Sequence, residues 1–188
     1  MDYYKNIDKI CGDYAPHYRS QGIQYMVVDD LASEPVDVTF FKKHARIDYN
    51  TDDDIIESYI KAARQELEKW SQLSFGVKTM RMVALSVPNN HRLMFGRVDE
   101  ITTSGYSNLG DILINGGRNI DIEYTTLDWI DESIKIAICR YAAGLYLNRE
   151  PYISTSQFNS IEEQRASGGK YLDEAKVMLD PYRNITIF

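Results

Sequence analysis

Between positions 52 and 72 the large apolar side chains fall at Ile56, Ile60, Leu67 and Trp70, with Ala63 between them. Steps of three and four put them on one face, so the spacing predicts a helix over 52–72 with a single buried stripe. Thr51 is its predicted N-cap. Asp52, Asp53 and Asp54 fill the first turn, where the helix dipole favours acid. A shorter apolar pair, Phe40 and Phe41, predicts a helix over 39–45 whose other side carries Lys42, Lys43, His44 and Arg46. A second long helix is predicted over 128–150, stopped by Pro151. Its core face includes Ile134, Ala137, Ile138, Tyr141 and Ala142, but Ile136, Cys139, Ala143 and Leu147 carry the apolar surface further round. A helix apolar on most sides is buried on most sides. It is therefore either central in its own subunit or shared with a neighbouring one, and those four residues are the candidate subunit interface. A last helix is predicted over 170–179, ahead of Pro181. The polar stretch before it ends in Ser167-Gly168-Gly169, and the two glycines limit any helix there.

Between 77 and 125 the period shortens to two. Residues 79–87 predict a strand, closed by Pro88-Asn89-Asn90. A second lies near 101–103. Residues 112–114 and 120–124 predict a β-hairpin, with Asn115-Gly116-Gly117 supplying the positive φ angles of its turn. Residues 23–28 could add a strand to an otherwise mixed, tyrosine-rich segment, 1–36, which reads as an N-terminal arm or extension. The fold class is mainly α with a small β-element (α+β): a helical bundle of two long and two short helices with short antiparallel strands.

A length of 188 residues fits one domain, or one with an arm. The net charge of −7 argues against gripping nucleic acid through its phosphates, yet it suits a surface past which DNA slides. Cys11 and Cys139 make neither a disulfide framework nor a zinc site. No signal-peptide pattern and no apolar run of membrane-spanning length is visible. The stretch Asp48 to Asp54 begins like a calcium loop, but Asp53 and Tyr59 stand where such a loop needs glycine and glutamate. Helix capping explains it better. No nucleophile elbow, metalloprotease or phosphate-loop motif is present. No catalytic, metal or cofactor-binding residue is predicted. Lys42, Lys43 and Arg46 are the one basic cluster: a solvated helix face, or a contact for an acidic partner or passing DNA. Ile185-Thr186-Ile187-Phe188 is a strongly apolar segment that could add as a strand to another sheet edge.

The order of four motifs carries a resemblance. Phe40-Phe41-Lys42-Lys43-His44-Ala45-Arg46-Ile47-Asp48 leads into Asp52-Asp53-Asp54 and a helix through Ala62-Ala63-Arg64. Ile122-Glu123-Tyr124-Thr125 follows, then Leu145-Tyr146-Leu147-Asn148-Arg149-Glu150, then Leu179-Asp180-Pro181-Tyr182-Arg183. Over roughly 36–183 this resembles the tailed-phage head–tail connector (adaptor) family, the gp6-like and gp15-like neck proteins, with His44-Ala45 in place of the usual His-Leu. The resemblance implies a structural virion protein of the neck, without catalysis or cofactor, built in the host cytoplasm. It implies a homo-oligomeric ring, typically dodecameric, beneath the portal protein. Such a ring extends the channel for genomic DNA without sequence-specific binding and offers a docking surface to tail or stopper proteins. It divides the chain into an arm (1–36), a connector domain (37–183) and a docking tail (184–188). Tyr182, Arg183, Ile185, Ile187 and Phe188 are then candidate portal-docking residues. The rival readings are a tail-completion or stopper protein, or a small helical enzyme or interaction domain.

Overall fold

A computed structural model describes residues 17–20, 22–148 and 161–183. The architecture is α+β, with four helices and antiparallel sheets among these residues. The chain divides into two compact units, one of Met1–Leu31 with Gly76–Leu127, the other of Ala32–Phe75 with Asp128–Phe188. The division expected from motifs, at 36 and 183, follows other lines. The predicted strand at 23–28 is β2 and belongs to the sheet of the first unit.

That first unit is the β unit. Its strands are β1 (His17–Ser20), β2 (Ile23–Asp29), β3 (Thr79–Val87), β4 (His91–Arg92), β5 (Val98–Ile101), β6 (Asn108–Leu109), β7 (Ile112–Leu113) and β8 (Gly117–Thr126). Five make one antiparallel sheet in the order β1-β2-β3-β8-β5, and β4-β7-β6 make a second. The alternation in β3 explains the core. Met80, Met82 and Ala84 are buried and stand opposite Tyr124, Ile122 and Ile120 of β8. Tyr25 and Ile23 of β2 continue two of those rows. Leu93, Phe95 and Leu113 complete the cluster. On the opposite side of β3 the register turns outward, where Arg81 forms a two-pronged ion pair with Asp121.

The β part is larger than the small element expected, and the predicted hairpin is not formed. β7 and β8 lie in different sheets. Neither Gly116 nor Gly117 has a positive φ. Gly116 is instead pressed against backbone: a Cβ there would sit 2.3 Å from the carbonyl oxygens of Val87 and Pro88. The glycine serves close approach between chain segments, a long-range need that a turn-forming dipeptide mimics.

Inside this unit the Tyr25 hydroxyl lies 3.1 Å from His91 Nε2. Burial raises the tyrosine's pKa, so its hydroxyl stays protonated beside the ring. Burial also holds His91 below its usual pKa. The folded protein thus takes up this proton less readily than the unfolded chain. Stability is full above the ordinary histidine pKa of about 6.5 and falls as pH drops below it, levelling off beneath the lowered folded value. Calorimetry between pH 7.5 and 5 is expected to show a larger fall in Tm for the natural chain than for His91→Gln. Equal falls would remove His91 as the cause.

The second unit is helical: α1 (Val38–Ala45), α2 (Asp53–Ser71), α3 (Glu132–Leu147) and α4 (Ile161–Leu179), then a 3-10 turn, Asp180–Tyr182. α3 packs on both α2 and α4. Its central position accounts for much of its excess apolar surface. The predicted stripe of α2 is buried at Ile56, Ile60, Ala63 and Leu67, against Ile134, Ala137 and Ile138 of α3 and Ala175 and Leu179 of α4 in one core. The N-cap of α2 is Asp52 rather than Thr51. α3 starts at Glu132 rather than at 128, behind the N-cap Asp131, whose carboxylate accepts from Ser133 N. The largest departure is α4, which runs through Gly168-Gly169 instead of starting after them. Two interior glycines cost roughly 1 kcal/mol each against alanine. The buried Ala175 and Leu179 and an ion pair between Glu174 and Arg140 of α3 hold the helix in place.

Candidate functional site

The motif residues converge on the helical unit. Asp37 caps α1 by accepting from Phe40 N at 2.6 Å, and Phe41 is fully buried. Lys42 Nζ donates to Asn50 and, at 2.9 Å, to Asp53, which ties α1 to the first turn of α2. Arg46 closes α1 in the left-handed region at φ 57°, its N–H returning to Lys42 O. Asp52 accepts from the Tyr146 hydroxyl at 2.6 Å, and Tyr49 meets the same hydroxyl at 2.7 Å. Tyr146 also meets Phe41 and Tyr59 edge-on. Arg64, the arginine of Ala62-Ala63-Arg64, is completely buried. It holds Glu34 through two nitrogens, at 2.7 and 3.0 Å, and Glu68 at 2.9 Å. Glu68 in turn accepts from Phe75 N at 2.8 Å. At the far end, Tyr182 packs on Trp129 and the Arg183 guanidinium lies 4.8 Å from the Trp70 ring centre.

These contacts sort the candidate residues. Lys42 is spent on Asp53 and largely enclosed, whereas Lys43 and Arg46 are exposed. Cys139 is sealed inside its own unit, where burial and then the nearby Asp37 push its thiol up to about 12. Ile136 and Ala143 are half-buried, and Leu147 is 37% exposed. Tyr182 and Arg183 rest on their own unit's tryptophans. Ile185, Ile187 and Phe188 lie outside the described residues.

Three of the sequence candidates, Arg46, Ala143 and Leu147, line one hollow of about 420 Å³. Phe41, Ala143, Tyr146 and Tyr171 are among its lining residues, and its basic side chains are His44, Arg46 and Arg140. No acidic side chain lines it among the described residues. Burial, and then the charge of Arg140, hold His44 below its usual pKa. The Nε of Arg140 is buried and has no hydrogen-bond partner among the described residues. Sequence reasoning missed Arg140, although it stands three residues before Ala143 and seven before Leu147, on one helical face. It missed Tyr171, which lies inside the helix predicted over 170–179, because periodicity does not say which other helices that residue will face.

Among the described residues no group of His, Cys, Asp and Glu is placed to hold a metal ion, and no helix is long and apolar enough to cross a membrane. Residues 36–183 match the family of phage gp6-like head–tail connector proteins. The chain belongs to that family. This connector is a structural protein of the virion neck. Its fold recurs in chains from three solved structures of gene transfer agent particles, each 15% identical in sequence. One is the native virion, with a TM-score of 0.62 over 87% of this chain and 97% of that one. Another is the neck of the empty particle, determined with C6 symmetry, at 0.57 over 85% and 96%. A third is the neck of the native particle, determined with C12 symmetry, at 0.57 over 87% and 97%. No curated protein matches. The family motifs of the connector thus mostly build its helical unit, and Lys43 is exposed on it.

Proposed function

We propose that the connector forms a homo-oligomeric ring beneath the portal protein, extends the DNA channel and offers its far face to a tail or stopper protein. The family match over 36–183 carries this reading. The symmetric necks in which the fold recurs support a ring of identical copies. The role calls for no catalysis and no cofactor. A net charge of −7 suits a wall that lets DNA pass without holding it. The segment 184–188 docks to the portal, with Ile185, Ile187 and Phe188 as its anchors. Tyr182 and Arg183, seated on Trp129 and Trp70, set its point of departure.

Pull-down from phage-producing cells tests both parts. The full-length chain is expected to recover a portal-like ring protein, and a chain ending at Arg183 to lose it. Recovery by both baits would leave the connector role standing and remove the tail from docking. Recovery of no virion protein by either would end the reading.

A further inference from the structure

The hollow between α1, α3 and α4 has the makings of a socket. It is lined largely by apolar and aromatic side chains, carries His44, Arg46 and Arg140, and is free of acids among its described lining residues. The Arg140 side chain remains 38% exposed while Glu174 pairs with its Nη1, so its guanidinium has donors to offer a further acceptor. Arg46 lines the same hollow, exposed in its left-handed cap, and adds a second cation. The matching segment therefore carries an apolar side chain beside a carboxylate.

A second copy of this chain meets that description. Its surface is acidic on balance, with 28 carboxylates against 21 lysines and arginines. It also exposes apolar side chains next to acids. Ile55, 46% exposed, stands between the exposed Asp54 and Glu57, and Leu127 adjoins the exposed Asp128. We infer that the socket is the receiving half of the contact between neighbouring copies: Arg46 and Arg140 take a carboxylate of the next copy, and the apolar lining takes the apolar side chain beside it. A socket that receives a different surface makes a heterologous contact, the kind that closes a ring. The inference rests on the ring reading and deepens it.

The test places the photo-cross-linker p-benzoylphenylalanine at position 147, on the rim, in the full-length chain during phage production. Irradiated particles are expected to yield a cross-linked pair of this chain, with the partner peptide containing an exposed acid. A cross-link to a different virion protein, or none in particles whose necks contain the chain, overturns the inference. Arg46→Glu, whose side chain is exposed and unneeded for the core, sets like charges against each other and is expected to cut incorporation into necks by about tenfold or more, and Arg46→Gln less. Unchanged incorporation of Arg46→Glu also overturns it. Neck symmetry in electron micrographs scores the ring separately. A symmetric ring without the cross-link sinks the socket alone, and necks lacking any ring sink both.

Discussion

Arg64→Ala is expected to destabilise the helical unit by about 3–5 kcal/mol, the cost of breaking a buried ion pair from one side. Arg64 is fully buried, and its guanidinium joins Glu34, ahead of α1, to Glu68 on its own helix. Without it, Glu68 keeps a charge at 2% exposure while still bound to Phe75 N. The lost charge is the cause, not the lost volume, so Arg64→Met is expected to fare little better alone. Adding Glu34→Gln and Glu68→Gln to Arg64→Met removes the stranded charges, and the amide oxygen then present at position 68 can still accept from Phe75 N. That triple variant is expected to recover much of the loss. The chain's two tryptophans, Trp70 and Trp129, both belong to this unit, so their fluorescence in a urea titration reads it selectively. A shift below about 1 kcal/mol for Arg64→Ala would show that the carboxylates find water or other partners.

Gly116→Ala is expected to cost the β unit about 1–3 kcal/mol or more, by overpacking against backbone that has no room to yield. The added methyl would lie 2.3 Å from two carbonyl oxygens at the end of β3. Relief needs the strand end and the chain at 116 to separate, which also strains the bond from Gly116 N to Asn89 at 2.9 Å. The neighbouring Gly117→Ala is the control. Its methyl meets only the flexible end of Ile120 at 3.3 Å, so it is expected to stay within about 0.5 kcal/mol. Calorimetry, with hydrogen exchange at β3 and β8, distinguishes the two. Equal effects would point to a backbone preference at both glycines rather than to the close approach.

What the sequence by itself determined is local. The three-and-four spacing from Ile56 to Leu67 placed α2, because a helix must bury one face whatever lies opposite. The alternation from Met80 to Ala84 placed β3 for the same reason at period two. The order of short motifs from Phe40 to Arg183 was enough to place the chain in its family. What only the tertiary structure decided is who pairs with whom. Periodicity reports that a face is buried, not against what. Asn115-Gly116-Gly117 therefore looked like a turn although β7 and β8 pair with other strands. Cys139 could be read as a small buried side chain or as interface, and it is buried in a helix that α2 and α4 pack against. Lys42 looked like a free cation although Asp53, eleven residues on, neutralises it. Gly168-Gly169 looked like a stop because local propensity is worth roughly 1 kcal/mol per residue, less than the packing of Ala175 and Leu179 that carries α4 through it. The socket is of the same kind: Arg46 comes from the cap of α1, Arg140 and Leu147 from α3 and Tyr171 from α4, and only long-range packing brings them to one hollow.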